Sequence, residues 1–562
     1  MSESEQPWWK STVFYQIYPR SFQDSNGDGF GDIPGIISRL DALAELGVGC
    51  LWLSPLYPSP DADNGYDIAD YCAIDPRYGT LDDFDELVRQ ARARGIRVIM
   101  DLVVNHTSDA HRWFEASRRR QEPYTDYYIW RPAGPAGAVP NNWTGFFMGS
   151  AWEWDAVRGE FYLHLFDKHQ PDLNWQNPAV LAEIEDVLRF WLDRGVAGFR
   201  CDVITCLFKT SLDDGKGLPI IRGFEHYKTQ PGLHEILKTL HKDVLVPYNA
   251  FTVGEAAMVT LDEGRDLTDP DRGELDLIFY FNHLEVDHLF SKYGPKPFSA
   301  KELLRRLTEW QQGLHWNAVY LENHDQPRIV SHYGNDQAYW LRSAKLFAVM
   351  LMTLRGSPFI YQGQEIGMTN FDFTSIDELD DVESRNTYAM FGRIGIPKAA
   401  RWAMIRQASR DNARTPVQWD ATDGAGFTTG TPWLPLNHNS EFINYATQEN
   451  DPDSVLSFYR QMVKLRATSP TLLGGDFTPV YANRGLMVYR RESVDNSPAI
   501  TVYLNISDHA QPLNGTWAAP LRECGTTTTC LASNTGRTKF TGPLVPWEAV
   551  VVQAETSSNV TG

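Results

Sequence analysis

Eight short, mainly apolar runs, most of them ending in polar residues, recur along this chain with helical patterns between them: residues 13–19, 50–57, 96–106, 198–202, 251–255, 275–281, 317–325 and 358–365. A run that is apolar at consecutive and not merely alternate positions is a strand buried on both faces, as in a parallel sheet covered by helices. The intervening helices are legible too. In 80–95, Thr80 and Asp83 are spaced as a capping box, Phe84, Leu87 and Val88 share a face, and Gly95 ends the pattern. Leu181, Ile184, Val187, Leu188, Trp191 and Leu192 mark another helix, ended at Gly195. Eight strand–helix units predict a (β/α)8 TIM barrel. The rival is a doubly wound sheet, but no GxGxxG turn opens one.

Three stretches exceed a minimal barrel. Residues 107–175, rich in Trp, Tyr, Asn and Pro, form a long insertion after the third strand, and loops this long usually carry function. Residues 370–450 form a second excursion after the eighth strand, and a helix near 453–467 closes the barrel. From 477 to 562 the pattern changes to short alternating runs with turns between, which predicts an antiparallel β-sandwich. The expected plan is thus a catalytic barrel at 1–106 and 176–476, an insertion domain at 107–175 and a C-terminal β-domain at 477–562.

Composition narrows the class. With 51 basic and 72 acidic residues the net charge is −21, which argues against nucleic acid or anionic membrane as partners. The six cysteines are scattered without CxxC or zinc-finger spacing, as in a reducing compartment. The N-terminus lacks a basic segment followed by an apolar one, and no run of membrane-spanning length occurs, so a cytoplasmic chain is expected. Eighteen tryptophans offer flat apolar faces suited to sugar rings, or simply an aromatic core.

The stretch GFRCDVITC (198–206) sets a charge in an apolar strand, which is costly without compensation. Asp202 could ligate a metal with the cysteines, pair with Arg200, or act in catalysis. His106, Asp202, Glu255 and Asp325 all stand at C-terminal strand ends, the face on which barrel enzymes carry their chemistry. Singly, each reads as a solvated strand-end residue. Together, three carboxylates at one mouth split their pKa values as acid/base chemistry requires.

DLVVNH (101–106), GFRCD (198–202), TVGE (252–255) and ENHD (322–325) resemble, in order, the four signatures of the α-amylase family, glycoside hydrolase family thirteen. QPDLN (170–174), YQGQEIGMTN (361–370) and SRDNARTPVQW (409–419) resemble its oligo-1,6-glucosidase subgroup. The resemblance implies Asp202 as nucleophile, Glu255 as acid/base and Asp325 as the third carboxylate. It implies a glucose pocket in which Asp63 grips the non-reducing sugar, Tyr66 stacks, His106 and His324 donate hydrogen bonds, Phe147 and Phe166 form walls, and Arg414 pairs with Asp63. Core packing is the alternative for the two phenylalanines. Arg200 is expected to lower the pKa of Asp202, and Glu255 to lack such a cation. Cys201 should face away from the site. Val203, after the nucleophile, goes with α-1,6 cleavage in this subgroup, and also with relatives acting on trehalose 6-phosphate.

The function implied is a retaining exo-α-glucosidase on isomaltose, isomaltotriose and panose, a monomer or weak homo-oligomer needing no organic cofactor. Alternatives are an α-1,4-preferring glucosidase, a trehalose-6-phosphate hydrolase, or a transglycosylating sucrose isomerase or trehalulose synthase. The isomerase stretch RLDRD is absent after ENHD, where the chain reads RIVSHYGNDQAYW. Non-catalytic transporter partners of this fold lack the carboxylates and carry a membrane span. Finally, DSNGDGFGD (24–32) begins like an EF-hand loop, with Asp24, Asn26, Asp28, the carbonyl of Phe30 and Asp32 as candidate ligands. The twelfth position is Gly35 and no flanking helix pair is expected, so this is not an EF-hand. The resemblance implies one structural Ca2+ here; the alternative is an Asx-rich turn without metal.

Overall fold

In a computed structural model that describes residues 6–217, 221–289 and 291–554, eight parallel strands form one curved sheet. They are β1 (Phe14–Ile17), β2 (Cys50–Leu53), β3 (Arg97–Leu102), β4 (Gly198–Cys201), β5 (Phe251–Glu255), β6 (Leu277–Phe279), β7 (Ala318–Val319) and β8 (Ser357–Tyr361). Their order, β7-β8-β1-β2-β3-β4-β5-β6, is that of a barrel in chain sequence, with the ladder open between β6 and β7. Side chains bridge that seam instead: Tyr320 Oη donates to the Tyr280 carbonyl at 2.9 Å, and His283 Nε2 meets the Tyr320 carbonyl at 2.7 Å. Residues 1–5 and 555–562, assigned above to the barrel and the C-terminal domain, lie outside the described residues.

The capping box on Leu81–Ala93 forms as spaced, Thr80 and Asp83 each accepting from the other's backbone, and Asn177 caps the helix Pro178–Asp193. The period-two alternation of the strands divides each one between barrel interior and helical shell. Phe14, Trp52, Ile99, Phe251, Val253, Leu277 and Phe359 pack together inside. Higher along the axis the inward positions turn polar, with Gln16, Asp101, Arg200 and Glu255, so the interior is oily at one end and charged at the other. Cys201, one residue out of phase with Arg200, is buried against Leu102, Leu188 and Leu237, away from the acids as expected.

A three-stranded antiparallel sheet (Trp130–Arg131, Trp152–Asp155, Glu160–Leu163) lies within the 107–175 insertion. Helices Val382–Arg393, Lys398–Ala408 and Asp411–Arg414 occupy the second excursion, and Val455–Thr468 follows it. The C-terminal region is antiparallel β, as expected, and its strands form a single five-stranded sheet. Met487, Tyr489, Val502 and Val551 on one face join the main core, while Val488, Tyr503, Val550 and Val552 on the other are covered by Leu521, Phe540 and Leu544. Among the described residues the second layer is therefore loop and a short helix, not strands. No helix among the described residues is long and apolar enough to cross a membrane. A groove of about 680 Å³ lies at the opposite barrel end, lined by Trp8, Trp9, Arg97, Phe251 and Asp276. On a barrel that face serves stability, and the chemistry is sought at the charged end.

Candidate active site

Arg200 is the hub of the charged end. It is 1% exposed, and strand pairing sets it beside Asp101 on β3. Its Nη1 donates to Asp101 Oδ1 and to Asp202 Oδ1, both at 2.7 Å, and its Nη2 donates to Glu255 Oε2 at 2.6 Å. One guanidinium thus serves three carboxylates, an excess of negative charge in a buried place. This corrects two expectations. Glu255 does have a cation beside it, the same one as Asp202. The Asp202 pKa is raised well above the carboxylate range: burial is the largest cause, the negative charges of Glu255 and Asp101 add to it, and Arg200 opposes them without prevailing. Burial likewise lifts Asp101 to about 6. Acids this close titrate as a unit, and the cluster retains a proton where isolated carboxylates would have lost theirs.

Val203 follows Asp202 in the left-handed region, at φ 35°, ψ 40°. A β-branched residue there is strained, at a cost of about 1–3 kcal/mol, and such strain clusters at functional sites. The turn aims the Val203 N–H at Glu255 Oε2, 3.3 Å away. Backbone strain on β4 is thus tied to a side chain from β5.

Asp325 takes the opposite electrostatic course. Burial would raise its pKa, but the charges of His324, Arg410 and Arg414 reverse this and hold it far below the usual range. His324 is itself pushed down to about 3 by burial, so above that pH the arginines carry the effect. Arg414 Nη2 donates to Asp325 Oδ1 at 2.8 Å and Arg414 Nε to the His324 carbonyl at 3.0 Å. The expected Arg414–Asp63 pair does not form. Arg410 takes that place, donating from Nη2 to Asp63 Oδ1 at 3.0 Å and from Nε to Asp381 Oδ1 at 2.7 Å. Arg414 is one turn further along and held under Asp325, out of reach of Asp63. Arg410 is the residue the sequence reading missed. The signal was its spacing, because residues four apart share a helical face. Arg410→Ala leaves Asp63 and Asp381 buried without their cation. We expect kcat/KM on isomaltose to fall roughly 30-fold or more, the about 2 kcal/mol or more of a truncated buried pair.

The aromatic and imidazole residues converge on the same space. Gln16 donates to His324 Nδ1 at 2.8 Å, which leaves the proton of the neutral ring on Nε2, 2.6 Å from Tyr66 Oη. Tyr66 donates in turn to Asp101 Oδ2 at 3.0 Å. His106, lowered to about 4 by burial, meets the Tyr66 carbonyl through Nε2 at 3.1 Å. Gln170 of the insertion reaches Asp63 Oδ2 at 3.3 Å, and Lys209 joins Asp172 of the insertion at 2.6 Å. Phe166 packs on His106 at 5.1 Å and on Phe147 at 5.6 Å, and the Arg410 guanidinium lies 5.1 Å from the Phe147 ring. Both phenylalanines therefore abut site residues. Asp63, 4% exposed, is raised to about 6 by burial against the pull of Arg410 and Arg414.

The 24–32 loop is wound by its own side chains. Asp24 accepts from the amides of Asn26, Gly27 and Gly29 and from the Thr428 hydroxyl; Asn26 accepts from Asp28 and Asp28 from Phe30. Asp32 accepts from Ser25 and Gly35. Asp24 spends two hydrogen bonds on each of its oxygens, whereas Asp28 and Asp32 keep lone pairs of the kind a hard cation takes. Its three carboxylates are nonetheless not gathered within 4.8 Å of one another.

A parallel barrel whose charged mouth joins a cation-bridged acid pair, a third, strongly ionised acid and stacking aromatics is that of a carbohydrate-cleaving enzyme. The chain matches the family "Alpha amylase, catalytic domain" over residues 16–475, and it belongs to that family of glycoside hydrolases. It is 48% identical over 479 residues to an oligo-1,6-glucosidase of Halalkalibacterium halodurans, covering 84% of this chain and 85% of that one. It is 46% identical over 476 residues to a trehalose-6-phosphate hydrolase of Bacillus subtilis, covering 83% and 84%. The crystal structure of a trehalulose synthase from Pseudomonas mesoacidophila superposes with a TM-score of 0.91 at 38% identity, covering 98% of this chain and all of that one.

Proposed function

We propose that this chain is a retaining exo-α-glucosidase that releases glucose from α-1,6-linked oligosaccharides such as isomaltose, isomaltotriose and panose, as a monomer or weak homo-oligomer. The carrying observation is the Arg200 fork with Asp202 on one nitrogen and Glu255 on the other. Adjacent nitrogens of one guanidinium hold two carboxylates close together, which favours the short spacing of retaining glycosidases over the wider inverting one. In this reading Glu255 delivers a proton to the glycosidic oxygen as the ionised Asp202 attacks C1 from the opposite face and the C1–O bond breaks. Glu255 then takes a proton from water, whose oxygen attacks C1 and expels Asp202, restoring the starting configuration. Asp325, kept ionised by Arg414 and Arg410, accepts sugar hydroxyls. The positive charge that develops on the ring in the transition state is stabilised by the excess of acids.

The Asp63–Arg410 pair and the Phe147–Phe166 wall support a pocket closed behind one glucose, hence exo-action. Val203 and the oligo-1,6-glucosidase relatives support the linkage. The six free thiols support a cytoplasmic setting. Parallel assays on isomaltose, maltose, trehalose 6-phosphate and sucrose test the reading. The highest kcat/KM is expected on isomaltose. A higher value on maltose or trehalose 6-phosphate, or isomaltulose formed from sucrose, would replace it with the corresponding alternative.

We also propose one structural Ca2+ at Asp24, Asn26, Asp28, the Phe30 carbonyl and Asp32. It joins no catalytic step. Added Ca2+ is expected to raise the Tm of the EDTA-treated enzyme and to leave that of Asp28→Ala unchanged; an unchanged wild-type Tm would refute it.

A further inference from the structure

The barrel ladder stops between β6 and β7, and the loops leaving the C-terminal ends of these two strands meet at a cluster that catalysis does not use. Asp287 and His288 lie on the β6 loop; His332 ends the short helix Ile329–His332 after β7. Asp287 Oδ2 is 3.0 Å from His332 Nε2, and Asp287 Oδ1 is 3.3 Å from His288 Nε2. The two imidazoles stack at 5.8 Å, 25° apart. One ligand atom from each of the three residues lies within 4.8 Å of the others, the only such group among the described residues. The side chains are 11–15% exposed, enclosed yet open to an ion from solvent.

Two imidazoles and one carboxylate form a borderline donor set, suited to zinc and its first-row neighbours and poorly to calcium or magnesium. The frame is already ordered. The Asp287 carbonyl accepts from the Lys296 amide at 2.7 Å, and the adjacent Tyr333 hydroxyl donates to the His283 carbonyl at 3.1 Å. The nearby Lys292 is neutralised by Glu383 at 2.7 Å.

We propose that Asp287, His288 and His332 bind one divalent transition-metal ion of the zinc class, which joins the two loops across the open seam of the barrel. Three protein ligands leave a fourth position to water. Each ring coordinates through Nε2, its proton moving to Nδ1, so both imidazoles remain neutral.

The test is calorimetric titration of the full-length, EDTA-treated enzyme with Zn2+ in the presence of saturating Ca2+, which occupies any hard-cation loop. One ion per chain is expected. Affinity should fall at least about tenfold in His288→Ala and in His332→Ala, each checked for native circular dichroism. Titration with Co2+ gives a second readout, visible d–d bands that are lost in both variants. A wild-type enzyme that binds no Zn2+ would overturn the proposal, as would stoichiometric binding that survives in the double variant. Should the alanine variants misfold, Asp287→Asn reports the same loss.

Discussion

Replacing Asp202 by Asn is expected to lower kcat on isomaltose by about 10⁴-fold or more, because an amide cannot form the glucosyl ester on which retention depends. The change is nearly isosteric, and Arg200 keeps Asp101 and Glu255 as partners, so the fold should persist with an unchanged circular dichroism spectrum. Chemical rescue separates the nucleophilic role from a structural one. In Asp202→Ala, azide should enter where the carboxylate stood and attack C1 from that face, giving β-glucosyl azide. A variant at Asp202 with near-wild-type turnover would remove it from the mechanism.

The second large effect belongs to Glu255. Glu255→Gln removes the group that protonates the departing oxygen, so kcat on isomaltose should fall roughly 10³-fold, within the range of lost general-acid catalysis. An aryl glucoside whose phenolate departs unaided should lose tenfold or less in its first step. It should then accumulate the glucosyl-enzyme, because the same residue is needed to activate water. A loss equal for both substrates would argue against an acid/base role.

The barrel was legible because its pattern is local. Mainly apolar runs mark strands covered on both sides, and polar residues at their C-terminal ends mark the mouth. Asp202, Glu255 and Asp325 stand on such ends, and pairwise spacing set Arg200 beside Asp202. The electrostatics were not legible in the same way. That Arg200 also reaches Glu255 depends on the lateral placement of β5 against β4, and the rise in the Asp202 pKa depends on burial, neither of which one strand encodes. The Asp63–Arg410 pair spans 347 positions, and choosing Arg410 over Arg414 required the turn of the helix that carries them. The strained conformation of Val203 had no sequence signal at all, since a valine predicts the opposite. The C-terminal strands were legible by alternation, whereas the loop layer covering them was not, because irregular segments carry no period.

Stereochemistry tests the central claim most directly. Proton NMR of isomaltotriose mixed with enzyme, read before mutarotation, resolves the anomer of the first glucose released. The arrangement of Asp202 and Glu255 on one guanidinium predicts that α-glucose appears first, together with isomaltose. β-Glucose appearing first would mean inversion and would contradict the assignment of Asp202 as nucleophile.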